Sequence, residues 1–126
     1  MYHVDIINNG NSSFQVKSKD YELVVDTKGK GITPPDTLLA GLGACIGVYI
    51  RKYAEGAKLN IEQFSLSVDA EFSKEPPVCF KEIRVSVDLK GFQLEERREK
   101  AFLEFVKNCP MHSTLKENPL VEIKIL

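Results

Sequence analysis

The chain has 126 residues, 43 % hydrophobic and none of them tryptophan, which is enough for one globular domain that buries about two-thirds of its unfolded surface. Its 17 Lys and Arg are scattered among 18 Asp and Glu for a net charge of -1, so there is no basic stripe for phosphates and nucleic acid is excluded as a partner. The opening MYHVDIINNG has neither a basic start nor a long apolar run; the expectation is a cytoplasmic protein with no signal peptide and no membrane anchor.

Tyr2, Val4 and Ile6 alternate with His3 and Asp5, Asn8-Asn9-Gly10-Asn11 supplies a tight turn, and Ser12 to Lys17 returns with Phe14 and Val16 on one face. That pattern predicts a hairpin, followed after Ser18-Lys19-Asp20 by a third strand over Tyr21 to Val25. The loop Thr27-Lys28-Gly29-Lys30-Gly31 lacks the spacing of a phosphate-binding loop and reads as a flexible linker.

Leu38 to Ile50, LLAGLGACIGVYI, is the stretch around which the chain is organised. It holds no charged or amide side chain, is too short to span a bilayer and too long for an ordinary strand, and therefore predicts a buried helix. Thr33-Pro34-Pro35-Asp36 gives the entry: a capping hydroxyl, prolines suited to a first turn, and a carboxylate at the positive end of the dipole. Arg51, Lys52 and Tyr53 mark the last turn and Gly56 a left-handed exit, placing the helix at about 34 to 55. Gly41, Gly43 and Gly47 each cost a helix interior about 1 kcal/mol relative to alanine, a cost that close approach of another backbone or a small molecule beside Cys45 would offset. A helix apolar nearly all round needs cover on every side, which predicts a homodimer with this helix near the interface.

Phe64, Leu66, Val68, Ala70 and Phe72 alternate with polar residues as a long half-buried strand, Ser73 to Pro77 turns the chain, and Ile83, Val85, Val87 and Leu89 form the next strand. Leu94 to Asn108 is an amphipathic surface helix, and Val121, Ile123 and Ile125 predict a closing strand. Strands and helices in this order do not alternate as a parallel sheet requires, so the class is α+β, a single domain over residues 1–126.

Three cysteines at wide, irregular spacing do not make a secreted disulfide framework. Cys79 has no polar partner in the sequence and reads as packing. Cys109 precedes Pro110 and is placed as the N-cap of a short helix running to about Glu117, where backbone N-H groups and the dipole lower a thiol pKa. Buried filler and reactive thiol both remain open for it. The Cys109-x-x-His112 spacing is half of a zinc site whose other half is missing, so no metal and no cofactor is expected, and His112 reads as a polar surface residue.

The segments PPDTLLAGLGACIGVY (Pro34 to Tyr49) and NCPMHSTL (Asn108 to Leu115) together resemble the paired signatures of the OsmC/Ohr family, the osmotically induced and organic hydroperoxide resistance proteins, and the order of elements agrees over essentially the whole chain. The resemblance implies an intertwined α+β homodimer of OsmC-like fold. It also implies catalytic roles: Cys45 attacks an organic hydroperoxide, Cys109 resolves the sulfenic acid as a disulfide, and a dithiol, lipoyl groups in the Ohr branch, restores both thiols. Ohr-like members carry a glutamate ten residues before the first cysteine and an arginine in the N-terminal half. Here Pro35 stands at the first position and no arginine precedes Arg51, which places the chain in a divergent OsmC-like branch. Lys17, Lys19, Lys28 and Lys30 are the candidates to replace that arginine, each a point charge without the guanidinium fork. The alternative is a non-catalytic dimeric protein that senses oxidants or binds a small apolar ligand beside Gly41 and Gly43.

Overall fold

A computed structural model describes residues 1–126, which divide into two compact units, Met1–Ala40 and Gly41–Leu126. In the first, β1 (Asp5–Asn8), β2 (Ser13–Ser18) and β3 (Tyr21–Asp26) form an antiparallel meander in that order, with Ile6 opposite Val16 and Phe14 opposite Val25. The predicted hairpin is present, moved along the chain: Asn8 rather than Ile6 ends β1, and the Asn8 side-chain amide donates to the Asn11 and Ser13 carbonyls (2.7 and 3.0 Å) to hold the turn.

The loop read as a flexible linker is tied down. Asp26 is buried, and its carboxylate accepts from the Ser12 and Ser13 hydroxyls (3.0 and 2.6 Å) and from the Lys28 amide (2.7 Å). The Ser13 hydroxyl, with the Lys28 amide, holds this carboxyl below the usual carboxylate range. The Asp26 amide donates to the Ile32 carbonyl (3.0 Å) and the Ile32 amide to that of Val24 (3.2 Å), closing the loop into a staple.

The long helix α1 runs from Pro34 to Gly56. Its entry follows the sequence signal: Thr33 Oγ1 accepts from the Asp36 amide (3.2 Å) and donates to the Asp36 carboxylate (2.8 Å). Its exit does not. Gly56 is the last helical residue, and the left-handed position is Lys58 (φ 54°), while the Leu59 amide reaches back to the Ala54 carbonyl (2.8 Å). Arg51, read as marking the last turn, donates to the Ile61 and Glu62 carbonyls (2.6 and 3.3 Å) and lies 5.1 Å from the centroid of the Phe64 ring. It fastens the turn that leads out of the helix.

In the second unit β4 (Ser65–Phe72) and β5 (Phe80–Asp88) pair antiparallel, with Leu66 opposite Val87, Val68 opposite Val85 and a bulge between Ala70 and Phe72. They are followed by α2 (Glu96–Val106) and α3 (Pro110–Glu117). The core is Ile50, Phe102 and Val106, packed with Tyr53, Phe64, Leu66, Val87 and Leu89; Tyr53 meets Phe102 edge-on at 5.4 Å. The α+β reading is therefore correct, and no helix is long and apolar enough to cross a membrane.

Close approach explains one of Gly41, Gly43 and Gly47 of α1. A Cβ on Gly43 would stand 2.9 Å from Val68 Cγ2, so the contact lies between α1 and β4 of the same chain. Gly43→Leu is expected to lower unfolding stability by about 1 to 3 kcal/mol through overpacking and to leave any self-association intact, measurable as a shifted denaturation midpoint at unchanged sedimentation.

The predicted closing strand is absent. Residues 118–126 have no regular structure, and Val121, Ile123 and Ile125 are 74 %, 88 % and 98 % exposed. The alternation is that of a strand, but a strand exists only against a neighbour, and no strand of this chain pairs with it.

Candidate functional site

The helices bring two of the three cysteines together. Cys45 sits on α1, half-buried, three residues after Leu42 and four before Tyr49. Cys109 lies in the bend between α2 and α3, and the Cys45 thiol is the side chain that acts on it directly. Cys79, at the mouth of β5, is bound into the Ser73 turn, where its amide donates to Ser73 Oγ (3.2 Å) and its carbonyl accepts from the Ser73 amide (2.8 Å).

Cys109 is the N-cap of α3, as the Cys-Pro pair predicts: its backbone is extended (φ -63°, ψ 140°), Pro110 follows at the first helical position, and its sulfur accepts from the His112 amide at 3.3 Å. The expected drop in its pKa does not follow. Cys109 is 0 % exposed, and burial pushes the thiol up from its ordinary value, beyond what the His112 amide offsets; Cys45 pushes the same way. A helix terminus stabilises a thiolate only through a few amides, while desolvation acts on the whole charge. Cys109 is thus a proton-holding thiol beside a more accessible one. With iodoacetamide at neutral pH, Cys109 is expected to be alkylated last of the three thiols, with a rate that climbs steeply on the alkaline side; peptide mapping of a labelling time course would check this.

His112 is not a free surface group. It is half-buried, its Nδ1 lies 3.0 Å from the Lys107 carbonyl, and because a carbonyl only accepts, that nitrogen carries the proton. The sequence signal for this was Cys109-x-x-His112 itself, read there as a fragment of a metal site. No cation is free at Cys45 among the basic residues of α1: Arg51 is committed as described, and the Lys52 ammonium lies 4.8 Å from the Tyr49 ring centroid. The lysines considered as substitutes, Lys17, Lys19, Lys28 and Lys30, belong to the first unit, where Lys17 pairs with Glu22 at 3.6 Å. Gly41 faces open space.

This α+β chain sets one thiol on the long helix α1 near a second at the head of the short helix α3. Its family is established by comparison: the model described as OsmC-like protein matches residues 27–124, and this chain belongs to that family. A hydroperoxide reductase of Mycoplasma genitalium is 26 % identical over 122 residues, covering 90 % of this chain and 86 % of the relative. A hydroperoxide reductase of Mycoplasma pneumoniae is 26 % identical over 132 residues, covering 98 % and 93 %. Among solved structures, an OsmC-like protein from Mycoplasma pneumoniae superposes with a TM-score of 0.80 at 26 % identity, covering 92 % of this chain and 87 % of that one.

Proposed function

We propose that this chain is a thiol-dependent peroxidase that reduces organic hydroperoxides through Cys45 and Cys109. The observation that carries the reading is the adjacency of a half-buried thiol and a fully buried one. The relatives named hydroperoxide reductase support the same chemistry.

The Cys45 sulfur attacks one peroxide oxygen, the O-O bond breaks, and the substrate leaves as its alcohol while Cys45 becomes a sulfenic acid. The Cys109 sulfur then displaces the sulfenic hydroxyl, which departs as water with the Cys109 proton, and a disulfide forms. An external dithiol, a lipoyl group among the fitting classes, returns the disulfide to two thiols and is itself oxidised. The reaction belongs in a reducing compartment, the cytoplasm, which keeps the thiols available.

We also assign a homodimer to the working state. Gly41, Ala44 and Val48 form an exposed stripe of α1 beside Cys45, and the unpaired apolar alternation of residues 121–125 supports exchange of that segment between copies.

One equivalent of cumene hydroperoxide is expected to remove two of the three free thiols per chain, lower the mass by two hydrogens and leave Cys79 free. Thiol titration with peptide mass mapping reads all three. If the chain keeps all its thiols, the peroxidase reading falls and the non-catalytic binding or sensing role replaces it.

A further inference from the structure

A trough in the second unit, not lined by the cysteines, remains unused by this chemistry. It is a cavity of about 480 Å³ within the second unit, with Leu42 and Ile46 of α1, Ile83 and Val85 of β5, Leu103 of α2 and Leu115 of α3 on its walls. A second cavity, of about 520 Å³, shares Val85, Val87 and Leu103 with it and runs on past Phe92 and Phe102. Together they follow β5 from Lys81 to Leu89, about 25 Å at about 3.3 Å per residue. The first cavity is lined mainly by apolar side chains, and the combined length suits a hydrocarbon chain of fatty-acid length.

The charges are distributed unevenly along it. At the end formed by the start of β5, the end of α2 and α3 stand Lys81, Lys107 and Lys116, together with His112. None of the three lysines makes an ion pair, and the one carboxylate there, Glu82, already accepts from Arg84 Nε at 2.7 Å. Lys81 shares the face of Ile83, Val85 and Val87 by strand alternation, and Lys116 shares that of His112 by helical spacing. The far end carries Glu99 and Asp88 instead, the latter already paired with the Lys90 ammonium at 3.5 Å. Unpaired lysines at one end of the trough, with Glu99 at the other, favour an anionic head group at the lysine end.

We propose that this trough binds a single-chain fatty carboxylate, with its head group at Lys107, Lys116 and Lys81 and its hydrocarbon tail along β5 toward Phe92. Binding is independent of the cysteine chemistry, so it stands or falls separately from the peroxidase reading.

The test uses the full chain, reduced, as wild type and as Cys45→Ser, with the fluorescent fatty acid cis-parinarate as probe. Probe fluorescence is expected to rise on binding in both proteins. Oleate is expected to displace it at least about tenfold more effectively than oleyl alcohol, and oleylamine least, since a hydrogen-bonded charge contact is worth about one such factor or more. Lys107→Glu with Lys116→Glu should weaken oleate by about tenfold or more and leave oleyl alcohol unchanged. Equal displacement by all three head groups, or an unaltered oleate affinity in the double variant, overturns the proposal. Failure of the wild type to bind the probe also overturns it.

Discussion

Cys45→Ser is expected to reduce hydroperoxide consumption to the uncatalysed rate, whereas Cys109→Ser should consume one equivalent and then stop with oxygen added to Cys45. The two thiols are not interchangeable because their surroundings differ. Cys109 is fully buried and its thiol is pushed up by that burial, so it is a poor first nucleophile toward a peroxide arriving from outside. Cys45 is half-buried beside Gly41 and Ala44, both exposed, which leave room for a small hydroperoxide. Once Cys45 is a sulfenic acid, Cys109 is the neighbouring thiol. Without it the sulfenic acid meets further peroxide and climbs to sulfinic and sulfonic acids, seen as successive gains of one oxygen on the Cys45 peptide. A Cys109→Ser chain that turns over fully with a dithiol would remove the resolving role. A Cys45→Ser chain that consumes peroxide at the wild-type rate would remove the peroxidase reading altogether.

The fold was legible where local chemistry decides it. The Thr33 cap, the Pro34 start, the alternation of β4 and β5 and the Cys109-Pro110 cap all depend on a few neighbours in sequence, and each is present in the structure. What sequence could not reach depends on burial and on distant partners. The pKa of Cys109 is set by how completely the surrounding helices desolvate it, a sum over packing that no spacing rule contains, and so the local dipole argument gave the wrong sign. Arg51 read only as a marker of the last turn because its acceptors, the Ile61 and Glu62 carbonyls, lie ten and eleven residues away. Gly43 was read as a place for a partner or a substrate because a missing side chain advertises space without saying who fills it; Val68 does. The lysine end of the trough was invisible for the same reason, since Lys81, Lys107 and Lys116 come from three elements that only the tertiary fold assembles.

Removing residues 119–126 is expected to convert a dimer into monomers at micromolar concentration and to lower the stability of the chain. The segment Pro119-Leu120-Val121-Glu122-Ile123-Lys124-Ile125-Leu126 has apolar residues at Val121, Ile123 and Ile125 on one face, with Glu122 and Lys124 on the other, yet all of it lies exposed. Burying three such side chains is worth about 1.5 to 3 kcal/mol each relative to water, before the cost of ordering the backbone, so a free segment of this pattern has a strong drive to find a sheet edge. The chain supplies edges, since β4 and β5 form only a two-stranded sheet and the three-stranded sheet is open at β1. Exchange between two copies satisfies the segment and an edge at once, and closes after one step because a two-fold contact is self-complementary. The stripe of Gly41, Ala44 and Val48, with Val48 52 % exposed, offers the same two-fold contact a helix face. Equilibrium sedimentation of the whole chain and of the shortened one decides the matter. A shortened chain that stays dimeric assigns the interface to the helix stripe alone, and a whole chain that sediments as a stable monomer rejects the dimer.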